Sequence, residues 1–249
     1  MSKINKICYL FDVDGTLTPP RQSMTKAFQK EFTLWAKNKN LLIVTGSDFP
    51  KTTEQVPQEV LGCFREIYCC MGNEKRTSDG KIVTKSKFII PDLLDQDLQK
   101  ILNNSGYPLR TGNHIEFRTG MVNFSIPGRN ANKLEREQYN KWDALSGERL
   151  DIVNFINSEY PNLEASIGGS ISIDIIEKGK DKGQVVKYLQ DFGIRRLVFV
   201  GDRVYPGGND WGVVRELKRS NLAYEWYNVS GPEETLALIR LNRVFGGGK

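Results

Sequence analysis

Residues Ile7 to Thr16 read ICYLFDVDGT. An apolar run carries straight into Asp12 and Asp14, spaced by one residue, and then into Gly15-Thr16. Alternation along a strand places residues i and i+2 on the same side. A buried strand ending here is therefore expected to aim two carboxylates at one polar site. Two anions that close stay charged only beside a cation; otherwise one of them holds a proton. A divalent metal, with one carboxylate serving as nucleophile or acid/base, is the economical reading.

Working outward, the chain alternates strands and helices. Phe28, Phe32, Trp35 and Ala36 fall at helical spacing, with Ser23 as the expected N-cap. Leu41 to Val44 is a short apolar run of the kind buried in a parallel sheet, and it ends in Thr45-Gly46-Ser47-Asp48. A helix is expected from Lys51 to Leu61, with Asp48 available to cap it, and a strand from Ile67 to Cys70. The pattern then changes. Ser78-Asp79-Gly80 reads as a hairpin turn and Leu93 to Leu102 as a helix. Ile115 to Arg118 and Val122 to Ser125 flank a Thr119-Gly120 turn. A polar helical stretch from about Asn132 to Glu159 is interrupted at Ser146-Gly147, and a second hairpin turns at Gly168-Gly169.

After Lys178 the alternation returns. A helix is expected from Gln184 to Phe192, and Leu197 to Val200 is a buried strand ending in Gly201-Asp202. A further helix, a strand from Ala223 to Val229 and a helix after Pro232 follow, and the Gly-rich stretch Gly246 to Lys249 reads as frayed. The expected fold class is α/β: a Rossmann-like parallel core built from residues 1–79 and 181–249, interrupted by an α+β cap at 80–180.

Composition narrows the function classes. At 249 residues the chain can bury a large core. No apolar stretch is long enough to span a bilayer. The lysines near the N-terminus run directly into the strand with no signal region between, so a cytoplasmic location and no membrane partner are expected. Cys8, Cys63, Cys69 and Cys70 lack zinc-ligand spacing and read as reduced thiols. His114 is the lone histidine, which removes most mechanisms built on a histidine base and any multi-histidine metal site. A carboxylate-rich site suits a hard ion such as Mg²⁺. The net charge of +5 is modest, and no basic run with interleaved aromatics argues for nucleic acid.

Ligands of open α/β sheets bind beyond the carboxyl ends of the strands. Three strand ends carry polar groups there: Asp12 with Asp14, Thr45, and Asp202. Phosphoryl transfer needs charge neutralised and atoms placed in line. Asp12 can attack phosphorus and Asp14 can exchange the proton of the leaving or attacking oxygen. Thr45 can hold phosphate oxygens and Lys182 can neutralise the anions. Asp202 can fix Mg²⁺ with Asp12 and the backbone carbonyl of Asp14. Asn209 and Asp210, after the Pro206-Gly207-Gly208 turn, are candidates for supporting or metal positions.

These motifs resemble the haloacid-dehalogenase-like superfamily. LFDVDGTLTPPRQ, VTGSDF, IEFRTGMVN, Gly128-Arg129, Glu135-Arg136, SIGGSISID and GDRVYPGGND together resemble the eukaryotic-type phosphomannomutases over most of the chain. The resemblance implies a mutase that interconverts mannose 6-phosphate and mannose 1-phosphate, primed by a hexose 1,6-bisphosphate activator. It implies phosphosugar binding by Arg21, Arg118, Asn123, Arg129, Arg136, Ser172 and Asp174, and a homodimer through the cap, for which the apolar residues around Leu93-Leu94 and Leu98 could serve unless they pack inside. Arginine forks grip phosphate bidentately, and a mutase must hold one phosphate while the other reacts. Three departures stand out. Met71-Gly72-Asn73 replaces Glu-Asn-Gly after the third core strand, Ser125-Ile126-Pro127 precedes Gly128-Arg129 where the family has SPIGR, and Trp211 to Glu216 occupies the place of further cation ligands. The alternatives are a Mg-dependent phosphatase on the same scaffold, a silent phosphosugar sensor and a nucleic-acid end-processing phosphatase.

Overall fold

The computed structural model describes residues 7–89 and 91–241. The Gly246 to Lys249 stretch lies outside the described residues. The chain divides into two compact units. The first holds residues 7–85, 181–206 and 210–241; the second holds residues 86–180 with Gly207–Asn209.

In the first unit, β1 (Ile7–Phe11), α1 (Lys26–Ala36), β2 (Asn40–Val44), α2 (Phe49–Gln55), α3 (Gln58–Leu61) and β3 (Glu66–Cys69) follow in order. A 3₁₀ turn at Cys70–Gly72 leads into β4 (Glu74–Arg76) and β5 (Ile82–Lys85). In the second unit come α4 (Asp92–Asn104), β6 (Ile115–Arg118), β7 (Met121–Phe124), α5 (Lys133–Ser146), α6 (Glu148–Glu159), β8 (Leu163–Gly168) and β9 (Ser172–Glu177). The first unit resumes with α7 (Gln184–Asp191), β10 (Arg196–Gly201), α8 (Trp211–Arg219), β11 (Ala223–Asn228) and α9 (Pro232–Leu241). No helix among the described residues is long and apolar enough to cross a membrane.

The first unit is built on one sheet in the order β11-β10-β1-β2-β3-β4-β5. β11 through β3 run parallel, and β4 and β5 add antiparallel. Parallel strands covered on both faces need apolar residues at successive positions, and Leu41 to Val44 and Leu197 to Val200 supply them, all at most 1% exposed. On one face, Leu10, Leu42 and Phe199 pack with Val185 and Leu189 of α7 and Val213 and Leu217 of α8. On the other, Phe11 meets Phe32 and Trp35 of α1 and Phe64 edge to face, and α1 packs beside α9.

Several local expectations change. The first helix is capped by Thr25, whose side chain accepts from the Phe28 N–H, whereas the Ser23 hydroxyl donates to the Glu54 carbonyl. The helix expected over 51–61 is two helices. Pro57 disfavours helical backbone in the residue before it, and Val56 is extended at φ −107° and ψ 112°. β3 ends at Cys69, and Cys70 opens the 3₁₀ turn. The Ser78-Asp79-Gly80 turn joins β4 to β5. That hairpin extends the core sheet, and the division between units falls after Lys85 instead of at 79/80.

The second unit is a four-stranded antiparallel sheet, β6-β7-β9-β8. One face carries Val122, Phe124, Ile173 and Ile175 into a core with Leu94, Leu98, Tyr139, Ile152 and Ile156. Strand alternation turns the intervening residues to the opposite face. Asn132 caps α5 in a reciprocal box with Glu135, and Gly147 separates α5 from α6. Leu94 and Leu98, offered as dimer-forming residues, are buried in this core; Leu93 is 58% exposed.

Candidate active site

Each unit carries its own polar constellation. In the first, β1 stops at Phe11, so Asp12 and Asp14 sit in the loop beyond it. They do not share one set of partners. The Lys182 ammonium donates to Asp12 Oδ1 at 2.6 Å and to Asp210 Oδ1 at 2.7 Å. All three side chains are buried: Lys182 and Asp210 at 0% and Asp12 at 3% exposed. Asp14 Oδ1 instead accepts from Gln55 Nε2 at 2.8 Å and from the Arg21 backbone N–H at 2.9 Å, while Ser47 Oγ lies 3.5 Å from Oδ2. The loop thus separates a buried carboxylate tied to an ammonium from a carboxylate tied to neutral donors.

Asp202, at the end of β10, completes the first constellation. Carboxylate oxygens of Asp12, Asp202 and Asp210 lie within 4.8 Å of one another. Gly15 permits this approach: it holds φ +78°, and a Cβ there would stand 2.5 Å from Asp202 Oδ2. Burial pushes the Asp12 carboxyl well above its usual range, and Asp210 and Asp202 add to the shift against the pull of Lys182. Burial, then Asp210, raises Asp202 to about 6 against Arg203. Burial also disfavours the Lys182 ammonium, but Asp12 and Asp210 outweigh it and raise its pKa. Three clustered carboxylates exceed the charge that Lys182 and Arg203, 3.6 Å from Asp202, can balance. An oxygen-only donor set with surplus negative charge fits a hard divalent cation. Asp210 was expected in a supporting or metal position. It contacts Lys182 directly, and its other oxygen accepts the Arg203 N–H at 3.1 Å.

Thr45 follows β2 and is buried. Its Oγ1 accepts from the Ser47 N–H at 3.1 Å, which leaves the hydroxyl proton to donate elsewhere. Asp48 caps α2 through the Lys51 N–H at 3.0 Å. Asn209 Oδ1 is buried without a hydrogen-bond partner. The Arg21 side chain is exposed.

In the second unit, register places Glu116 of β6 opposite Asn123 of β7, and Asn123 opposite Asp174 of β9. This row lies on the face away from the apolar core. Asn123 Nδ2 donates to Asp174 Oδ1 at 2.6 Å. Arg118, two residues along from Glu116, pairs with it at 2.5 Å, and Arg129 reaches the same carboxylate at 3.3 Å. Arg129 also donates to Ser172 Oγ at 2.5 Å. Arg136 of α5 donates to the Ala131 and Arg129 carbonyls, both at 2.6 Å. Burial and then neighbouring Arg129 lower the Arg136 pKa to about 10. A dianion bound beside these guanidiniums would offset that cost. The structure therefore brings Arg118, Asn123, Arg129, Arg136, Ser172 and Asp174 together. Glu116 was missed by sequence reasoning, although its place opposite Asn123 in the hairpin was a usable signal.

The eukaryotic phosphomannomutase family matches residues 28–245. The chain belongs to this family. A phosphomannomutase from Solanum lycopersicum is 34% identical over 236 residues, covering 91% of this chain and 90% of that protein. The fold is also that of a trehalose-6-phosphate phosphatase C-terminal domain from C. albicans, at TM-score 0.63 and 15% identity over 94% of this chain and 91% of that one. A haloacid dehalogenase-like hydrolase from Bacteroides thetaiotaomicron superposes at TM-score 0.58 with 12% identity, over 94% and 98% of the two chains. Phosphomannomutase relatives thus match in sequence along nearly the whole length, whereas the phosphatase and hydrolase share the fold alone.

Proposed function

We propose that this chain is a phosphomannomutase, interconverting mannose 6-phosphate and mannose 1-phosphate, with Mg²⁺ and a hexose 1,6-bisphosphate activator. The observation that carries this reading is the cap's polar sheet face, where Arg118 and Arg129 share Glu116 and Arg136 stands beside them. A plain phosphatase has no need to grip a second phosphate.

In the proposed reaction an Asp12 carboxylate oxygen attacks phosphorus of the bisphosphate. The bond from phosphorus to the sugar oxygen breaks as Asp14 gives that oxygen a proton. The acceptor hydroxyl of the sugar monophosphate then loses its proton to Asp14 and takes the phosphoryl group from Asp12. Lys182 holds Asp12 in place, and Thr45 donates to a phosphoryl oxygen. Asp12 and Asp202, with Asp210 beside them, would hold Mg²⁺, which supplies charge neutralisation at the transferring group. Arg118, Arg129 and Arg136 grip the non-reacting phosphate, and Asn123, Ser172 and Asp174 meet sugar hydroxyls. Four cysteines without a disulfide support a cytoplasmic setting. The same reading includes a homodimer through the cap, to which exposed Leu93 would contribute.

The test supplies mannose 1-phosphate, Mg²⁺ and a trace of glucose 1,6-bisphosphate, and follows mannose 6-phosphate and free phosphate together. Isomerisation well in excess of phosphate release is expected. Phosphate release without isomerisation would instead establish the phosphatase.

A further inference from the structure

Three consecutive residues after β3 hold left-handed backbone: Cys70 at φ 51°, Met71 at 61° and Gly72 at 93°. That conformation is natural for glycine and strained for residues bearing a Cβ. Two strained residues side by side persist only where the surroundings over-determine them. Here the surroundings are two functional segments. The Met71 N–H donates to the Thr45 carbonyl at 2.9 Å, and the Cys70 N–H donates to the Ser47 carbonyl at 2.9 Å. The Met71 carbonyl turns the other way and accepts from Gln184 Nε2 at 2.9 Å. One residue's main chain therefore joins the loop carrying Thr45 to the helix that begins two residues after Lys182.

Gln184 is built for this task. It is 5% exposed, its Nε2 also lies 3.4 Å from Asn73 Oδ1, and its Oε1 accepts from the Tyr188 hydroxyl at 3.1 Å. Asn73 in turn donates to the Cys70 carbonyl at 2.9 Å. The loop also lies directly on α7. A Cβ on Gly72 would stand 3.0 Å from Val185 Cγ2 and 3.1 Å from Gln184 Cγ. Gln184, the first residue of α7, thus bonds to the strained turn that follows β3.

We propose that Gln184 is a positioning residue. Through the Met71 main chain it sets the placement of the Thr45 loop relative to Lys182, and so of the two groups that hold a phosphoryl group on Asp12. The inference rests on the mutase reading for what Thr45 and Lys182 do. The test is Gln184→Met, which keeps the length and removes the donor. Small misplacements of positioning groups have large rate effects, so kcat should fall about tenfold or more, with KM for mannose 1-phosphate nearly unchanged. Calorimetric affinity for trifluoroberyllate with Mg²⁺, a phosphoryl mimic read without turnover, should fall with it. A Gln184→Met enzyme with a lowered melting point but wild-type kcat and trifluoroberyllate affinity would overturn the proposal, because packing alone would then explain the contact. In a Thr45→Val background the Gln184→Met loss should shrink; a fully additive loss also overturns it. Should Gln184→Met not fold, Tyr188→Phe loosens Gln184 from a residue that is 40% exposed, and a drop of about two- to threefold in kcat is expected; no change counts against the proposal. A wild type that fails to isomerise rejects the mutase reading, while the trifluoroberyllate measurement still judges Gln184.

Discussion

The two polar constellations solve opposite electrostatic problems. In the core, Asp12, Asp202 and Asp210 crowd around Lys182, and negative charge is in excess. In the cap, Arg118 and Arg129 pair with Glu116 and Arg136 stands beside Arg129, so three guanidiniums stand against the carboxylates of Glu116 and Asp174. The core is therefore suited to a cation and to a carboxylate that forms a bond. The cap is suited to an anion that stays intact. In the proposed mutase reaction the first would transfer the phosphoryl group and the second would hold the phosphosugar.

Mutations should separate the two in order of effect. Asp12→Asn removes the bond-forming oxygen, and turnover should drop about 10⁴-fold or more, as when other nucleophiles are removed. Binding of mannose 1-phosphate, measured by calorimetry, should persist. Wild-type turnover in this variant would remove Asp12 from the chemistry. Lys182→Met leaves Asp12 and Asp210 buried without their ammonium, and breaking such a pair costs about 3–5 kcal/mol. Urea unfolding reads this directly, and an unchanged midpoint would show that the carboxylates do not depend on Lys182. Arg136→Ala in the cap should lower mutase flux by about 100-fold, the scale of a lost charge-assisted contact, and lower hydrolysis less. Equal losses would deny Arg136 a special part in holding the second phosphate. Glu116→Gln should be milder, raising KM by roughly tenfold as the guanidiniums lose the anion that orders them. A larger effect on kcat than on KM would move Glu116 from ordering the cap to the reaction itself.

Much of this is legible in the amino-acid sequence. Local signals are self-contained: the apolar strands, the Thr119-Gly120 turn and the Gly147 break appear within a residue or so of their expected places, while the turn expected at Gly168-Gly169 falls at 169–171, because Gly168 still pairs with Ser172. What stayed hidden depends on partners distant in sequence. Ser23 and Thr25 are both plausible caps, and only the Glu54 carbonyl, 31 residues away, occupies Ser23. Gln55 reaches Asp14 across 41 residues and Gln184 reaches Met71 across 113. Neither amide belongs to a motif. The Ser78-Asp79-Gly80 turn was readable, but nothing local says that its strands extend the core sheet. Asp210 stood next to a recognisable turn, yet its contact with Lys182 follows from how α8 and α7 pack.

The central claim is that Asp12 receives a phosphoryl group and the cap directs it to a sugar. Brief mixing with ³²P-labelled glucose 1,6-bisphosphate, sampled by acid quench before and after a chase with unlabelled mannose 1-phosphate, tests both halves at once. The account predicts label on the wild-type protein, none on Asp12→Asn, and a chase that carries the label into hexose bisphosphate. Label that persists on Asp12→Asn, or a chase that releases it as inorganic phosphate, would contradict it.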